Sequence, residues 1–258
     1  MADMPLFQAR DLTVSIAGLP ICNGLDLDLR PGESWALLGR NGAGKTTLLH
    51  TLAGLREADA GSLHLLGDDV ATLPRRDIAR RLGLLPQDTP DLFPATVLET
   101  ALIGRHPHLG GLAWESDTDR KLAQSALNEV ELAGLESRPV TTLSGGERRR
   151  LALATLRCQA PRVALLDEPA NHLDLRHQVA LLGQLREQAK ADGNALLMVL
   201  HDVNLAARHC DHALLLFDGG EHASGPLTDV VDEAALTRLY DHPVVAVDGP
   251  TGPAWLPG

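Results

Sequence analysis

The chain holds 258 residues, 44% hydrophobic and 3% aromatic, so aliphatic packing has to build one large domain or one domain carrying an insertion. A formal net charge of −11 at pH 7 argues against a general nucleic-acid binder. Cys22, Cys158 and Cys210 show no CxxC pairing and fit a reducing compartment, Met1-Ala2-Asp3-Met4-Pro5 shows no secretory signal, and the longest apolar runs are far too short to span a bilayer.

Taken in chain order, residues 7–16 read as a strand. Leu25-Asp26-Leu27-Asp28-Leu29 alternates apolar with acidic residues, as a half-buried strand does. Pro31-Gly32 turns into Ser34-Trp35-Ala36-Leu37-Leu38, a short buried strand. Next comes Gly39-Arg40-Asn41-Gly42-Ala43-Gly44-Lys45-Thr46-Thr47, and Leu48-Leu49-His50-Thr51-Leu52-Ala53 follows as a helix. Strand, glycine-rich loop and helix form the context that the pattern G-x-x-x-x-G-K-[ST] requires. The glycines let backbone N–H groups turn inward as an anion nest, and the helix N-terminus adds its positive dipole end. Lys45 brings a point charge to the β- and γ-phosphates of a nucleotide, and the Thr46 hydroxyl can hold Mg²⁺.

Residues 62–66 are a further strand candidate, and Pro74 suits the first turn of a helix over 75–81. Gly83-Leu84-Leu85-Pro86-Gln87 is a short apolar strand ending at a glutamine, and the prolines at 86, 90 and 94 make a loop of 88–94. Helices are expected over 96–104, 117–133 and 144–158, with a loop at 106–111 and no strand between them. Residues 88–156 therefore read as a helical insertion in an α/β domain. The α/β rhythm then returns, with strands at 163–166, 195–200 and 213–217. Helices are expected at 173–190, 203–209 and 232–240, with a short edge segment in the tail. This alternation predicts a parallel sheet covered on both faces, beside an antiparallel β layer built by the opening strands.

Further stretches carry candidate chemistry. Val163-Ala164-Leu165-Leu166-Asp167-Glu168 places two carboxylates at the C-terminal end of a buried strand, where ligands of open α/β sheets sit. Asp167 can reach a hydrated Mg²⁺ beside Thr46, and Glu168 can polarise a water for in-line attack on a γ-phosphate. Leu143-Ser144-Gly145-Gly146-Glu147 opens a helix. Ser144 and Glu147 suit a capping box, while the Gly-Gly pair bares N–H groups at a positive dipole end. Capping and phosphate binding both stay open. His201, directly after a strand, can bond a phosphate oxygen or orient water, and Gln87 can reach Mg²⁺ or the attacking water. His106, His108, His172, His177 and His209 lack the tight grouping of a structural zinc site.

Together, residues 39–47, Gln87, Leu143-Ser144-Gly145-Gly146-Glu147, the stretch ending Asp167-Glu168, Leu173-Asp174 and His201 resemble the ATP-binding-cassette ATPases in order and spacing. The resemblance runs over nearly the whole chain. It implies a P-loop NTPase fold, a RecA-like parallel sheet flanked by helices, made of residues 1–87 and 157–258 with an α-helical subdomain at 88–156. It also implies a Walker A loop at residues 39–46 and a Q-loop at Gln87. The signature falls at Ser144, Gly145, Gly146 and Glu147, and Walker B ends in Asp167. Glu168 is implied as catalytic base, Asp174 as the end of the D-loop and His201 as switch histidine, with ATP and Mg²⁺ bound.

Within that family, Thr96-Val97, Gly104-Arg105-His106-Pro107-His108, Asp174-Leu175-Arg176-His177-Gln178 and Leu200-His201-Asp202-Val203-Asn204-Leu205-Ala206 look like the importers of iron–siderophore, haem and cobalamin. That likeness implies a peripheral ATPase on the cytoplasmic face of the plasma membrane, under a separate permease fed by a substrate-binding protein. A coupling helix of the permease would enter the groove beside Gln87. Two copies are expected to close head to tail, each ATP lying between one copy's phosphate loop and the other's residues 144–146. An exporter ATPase or a soluble, non-transport cassette protein is the alternative. The acidic balance and single cassette argue against the latter. Ile16 stands where the family often has an adenine-stacking aromatic, which implies comparable affinity for ATP and GTP. Arg149 stands where a glutamine is common and Ala170 where a threonine is common, and neither is expected to touch the chemistry directly.

Overall fold

The computed structural model describes residues 4–87, 94–110, 114–171, 173–249 and 252–258. The expected loop at 88–94 thus lies, Pro94 apart, outside the described residues, as do Gly111 and His172. In chain order the elements are β1 (Phe7–Ile16), β2 (Leu19–Leu29), β3 (Ser34–Gly39), α1 (Lys45–Leu52), β4 (Ala60–Leu65), β5 (Asp68–Asp69), α2 (Arg75–Arg81) and β6 (Leu82–Leu85). Helices α3 (Val97–Ile103), α4 (Asp117–Glu129) and α5 (Gly145–Gln159) follow. Then come β7 (Val163–Asp167), α6 (Leu175–Asp192), β8 (Ala195–Val199), α7 (Val203–His209), β9 (His212–Leu216), β10 (His222–Pro226), α8 (Leu227–Val230), α9 (Glu233–Tyr240), β11 (Val244–Gly249) and β12 (Gly252–Pro257).

The main sheet has the order β10-β9-β3-β8-β7-β6, parallel throughout except for β10. Its strands are short and apolar because both faces are covered. Along β3, Trp35 and Leu37 face one core, and Ala36 and Leu38 the other. That two-residue period divides the interior into two apolar layers. One layer lies under the antiparallel sheet β2-β1-β4-β5 and α1. The other lies under α3, α4, α5 and α6, and α3, α4 and α5 pack on one another between β6 and β7. No described helix is long and apolar enough to cross a membrane.

Several boundaries differ from expectation for local reasons. Strand β2 starts at Leu19, because Ala17 and Gly18 both take positive φ (49° and 80°) and form a two-residue hairpin turn that pairs Ile16 with Leu19. Register shifts in the pairing hide the alternation that would have announced the first half of β2. Helix α4 ends at Glu129, and Glu131 follows at φ 60°. Helix α6 begins at Leu175 because Asp174 caps it, accepting from the His177 N–H. The tail forms a two-stranded sheet of its own, β11 with β12, rather than one edge segment.

In the helical part, Asp119 closes the α4 capping box with Ser116 and takes Arg105 Nε at 2.8 Å. The Ser116 hydroxyl, the Arg105 guanidinium and the Ser116 N–H together hold its carboxyl down to about 2 from an ordinary 3.8. A depressed folded-state pKa contributes stability above the unfolded value, and that contribution is lost as pH falls toward the folded one. Asp119→Asn should therefore lower the melting temperature at pH 7 by about 4 °C, for a loss on the order of 1–2 kcal/mol. The gap to wild type should shrink between about pH 4 and pH 2. Thermal melts across that range read it directly; a gap that does not change with pH would remove the charge from the argument.

Candidate active site

Four parallel strands deliver the candidate residues to one edge of the sheet. β3 ends at Gly39, β6 is followed by Pro86 and Gln87, β7 ends at Asp167, and β8 is followed by Leu200 and His201. Strand C-termini at one edge are where an open α/β sheet holds its ligand.

The loop after β3 is shaped for an anion. Gly42 and Gly44 take φ 84° and 86°, a region that side chains other than glycine's rarely adopt. A Cβ at Gly44 would also come within 2.6 Å of the Ile21 side chain. Helices α3, α4, α5, α6 and α7 are each capped by a side chain, but α1 is not. Its first-turn N–H groups thus face the loop without a side-chain cap at the positive end of the helix dipole. Lys45 is 7% exposed, and its ammonium donates to the Gly39 and Arg40 carbonyls at 2.8 and 2.9 Å. Burial lowers its pKa, while the charges of Glu168 and Asp167 pull it back up. Arg40 points outward toward Asp218 and Asp241.

Beside that loop, the Thr46 hydroxyl donates to Asp167 Oδ2 at 2.6 Å. Asp167 Oδ1 is buried and has no hydrogen-bond partner among the described residues. Burial raises the Asp167 pKa, and the Thr46 bond opposes it. An orphaned carboxylate oxygen next to a hydroxyl suits a divalent cation bound by few protein oxygens and completed by water and phosphate. The donor set therefore fits Mg²⁺.

Glu168 lies one residue on, its side chain 11% exposed. Oε1 is 2.6 Å from His201 Nε2; because a carboxylate can only accept, that nitrogen carries the proton. Oε2 accepts from Asn171 Nδ2 at 2.8 Å and Gln87 Nε2 at 3.2 Å. The Glu168 backbone sits at φ 50°, a left-handed conformation that costs a non-glycine residue about 1–3 kcal/mol. A cavity of about 250 Å³ opens beside Glu168, Asn171 and His201.

Sequence reasoning missed Asn171 and the reach of Arg149. Asn171 is folded back on Glu168 by the turn through Pro169 and Ala170, whose closing bond runs from the Asn171 N–H to the Glu168 carbonyl at 3.1 Å. The charge of Arg149 acts on the Asp167 carboxyl, opposing the rise that burial causes there, and its guanidinium meets the backbone on both sides of Glu168. Asn171 is a local contact, three residues from Glu168, that the left-handed Glu168 backbone makes possible, whereas the Arg149 contacts depend on how separate segments are brought together.

Ser144 and Glu147 lie elsewhere. Ser144 caps α5: the Glu147 N–H donates to its hydroxyl at 3.2 Å, and the Ser144 N–H donates to Glu147 Oε2 at 2.7 Å. The Ser144 N–H and hydroxyl bonds hold the Glu147 carboxyl below its usual range. Glu147 also pairs with Arg138. These bonds run among themselves and not to the phosphate loop. Among the described residues, a Cβ built at Gly145 would meet nothing within 4 Å and one at Gly146 only Leu173 at 3.5 Å, so this helix end is open toward them.

With this geometry in view, the likeness to known proteins is informative. The family model described as ABC transporter matches residues 22–171. The hemin import ATP-binding protein HmuV of Streptomyces coelicolor is 41% identical, covering 97% of this chain and 89% of its own. The cobalamin import ATP-binding protein BtuD of Halobacterium salinarum is 37% identical over 93% of this chain, which spans 60% of that relative. A solved metal-chelate type ABC transporter, in an inward-facing conformation, superposes with a TM-score of 0.85 at 25% identity, covering 98% of this chain and 97% of that one.

Proposed function

The chain belongs to the ABC transporter family, and on that premise we propose that it powers the import of a metal chelate, with residues 39–47, Gln87, 144–147, Asp167, Glu168 and His201 as its working parts. As a family member it is an ATP-binding, ATP-hydrolysing subunit that dimerises and works with a membrane permease. The homodimer, the cargo and the residue roles are our reading. Residues 88–156 serve as the helical subdomain, and residues 1–87 and 157–258 as the nucleotide-binding core.

The observation that carries this reading is the Glu168 carboxylate, held by His201, Asn171 and Gln87 next to the Asp167–Thr46 pair. In the proposed reaction Lys45 and the phosphate-loop amides hold the β- and γ-phosphates. Thr46, Asp167 and Gln87 would hold Mg²⁺, which when bound neutralises phosphate charge. Glu168 accepts the proton of the attacking water, and His201, released from the carboxylate, steadies the γ-phosphate. Ser144, Gly145 and Gly146 donate from the partner copy, which explains why the open end of α5 makes no bond to its own phosphate loop.

The names of the relatives support haem or cobalamin as cargo, with iron–siderophore as a third chelate of the same class. The work would be done at the cytoplasmic face of the membrane, against a permease coupling helix near Gln87, with a substrate-binding protein delivering cargo. The test is to isolate the membrane protein that co-purifies, reconstitute the complex and measure hydrolysis with each chelate. Stimulation by one chelate is expected; a partner that only exports would overturn import.

Ile16 ends β1 at 46% exposure, and on the proposed reading the base would lie against it. ATP and GTP are expected to bind with comparable affinity. Ile16→Tyr should tighten nucleotide binding by about 1 kcal/mol or more, roughly fivefold, through ring stacking. Titration with both nucleotides reads this, and a strong adenine preference in the wild type would contradict it.

A further inference from the structure

Arg149 lies in the second turn of α5, at 7% exposure. Its Nη1 donates to the Pro86 and Gln87 carbonyls at 2.6 and 3.2 Å. Its Nη2 donates to the Glu168 carbonyl at 2.8 Å and also to the Asp167 carbonyl, and its Nε to the Pro169 carbonyl at 3.2 Å. A guanidinium has five N–H donors in a rigid plane and keeps them at any working pH. Here it joins two chain segments, the exit of β6 and the exit of β7, that are 81 residues apart at Gln87 and Glu168.

Those segments carry the side chains that converge on one carboxylate. The carbonyls of Asp167 and Glu168 flank the Glu168 Cα, whose left-handed backbone aims the carboxylate at His201 and Gln87. A strained conformation persists where surrounding bonds over-determine it. We propose that Arg149 is a positioning residue for hydrolysis, clamping the backbone so that Glu168 and Gln87 keep one fixed relation. The proposal rests on Glu168 acting as the base. Without the clamp the peptides on either side of Glu168 can relax toward ordinary angles, and the carboxylate swings away from its water. The grip on the phosphates themselves comes from Lys45 and the amides of the loop after β3, none of which Arg149 bonds, so ATP affinity changes far less than turnover. Glutamine at this position reaches fewer carbonyls, so this chain has a tighter clamp than a glutamine would provide.

The test uses the full chain with Arg149→Lys, Arg149→Gln and Arg149→Leu beside Glu168→Gln. Turnover is counted per nucleotide-binding site, so that misfolded protein does not enter. We expect kcat to fall in the order Arg, Lys, Gln, Leu, with about a tenfold loss for Arg149→Gln and partial rescue by Lys. ATP affinity should stay within about twofold. Wild-type kcat per site in Arg149→Gln and Arg149→Leu, with Glu168→Gln inactive, overturns the clamp and leaves the base in place. So does a parallel loss of kcat and ATP affinity, which marks general loosening. Wild-type turnover by Glu168→Gln removes the base and the clamp together.

Discussion

Glu168→Gln should lower kcat by about 10²- to 10⁴-fold while leaving ATP affinity within a few-fold of wild type. The amide has the shape of the carboxylate and can still reach Asn171 and Gln87, so packing survives. What it loses is the ability to take a proton from water. The structure shows how strongly the group is held: His201, Asn171 and Gln87 all converge on it, and Arg149 fixes the backbone beneath it. One of those bonds must give way when nucleotide arrives, and His201, whose side chain is 48% exposed, is the freest to move. Single-turnover hydrolysis and equilibrium nucleotide binding separate the two effects. Substantial turnover by this variant would take Glu168 out of its role.

Gly145→Glu is the second large effect. A Cβ at Gly145 meets none of the described residues within 4 Å, and its backbone is ordinary helix, so the chain can accept a side chain there. An acidic residue in a first turn interacts favourably with the helix dipole, by about 0.3–1 kcal/mol, so thermal stability should hold or rise slightly. The same carboxylate would occupy and repel the place kept for the partner's γ-phosphate. Hydrolysis should fall by about 10²-fold or more, the scale of losing a donor to a developing charge. ATP binding to each monomer should persist, because residues 39–47 are untouched. A stable, nucleotide-binding protein with no turnover is the expected phenotype. Unchanged turnover would show that this helix end faces no phosphate.

The parts legible in the sequence are those whose physics is local. β3, β7 and β8 are wholly buried apolar runs, and the phosphate loop carries its backbone demands in Gly42 and Gly44. The capping box at Ser144 follows from spacing alone. What stayed hidden is non-local or lies at an edge. β10, with Gly225 and Pro226, pairs on one side only and carries little apolar signal. The β11–β12 hairpin is held to α7 by Asn204, whose side chain bonds the Trp255 backbone at 2.8 and 3.1 Å, a contact 51 residues long. Arg149 shows in the sequence only as an arginine where a glutamine is common, and its role is hidden until the fold brings five carbonyls to it.

In the proposed mechanism hydrolysis needs two copies, each lending the open end of α5 to the other's nucleotide. The direct measurement is the mass in solution of the Glu168→Gln protein with and without MgATP, by sedimentation or light scattering. A shift from monomer to dimer on adding MgATP, abolished by adding Gly145→Glu, is the predicted result. A protein that binds MgATP fully and stays monomeric, alone and with its permease, would contradict it.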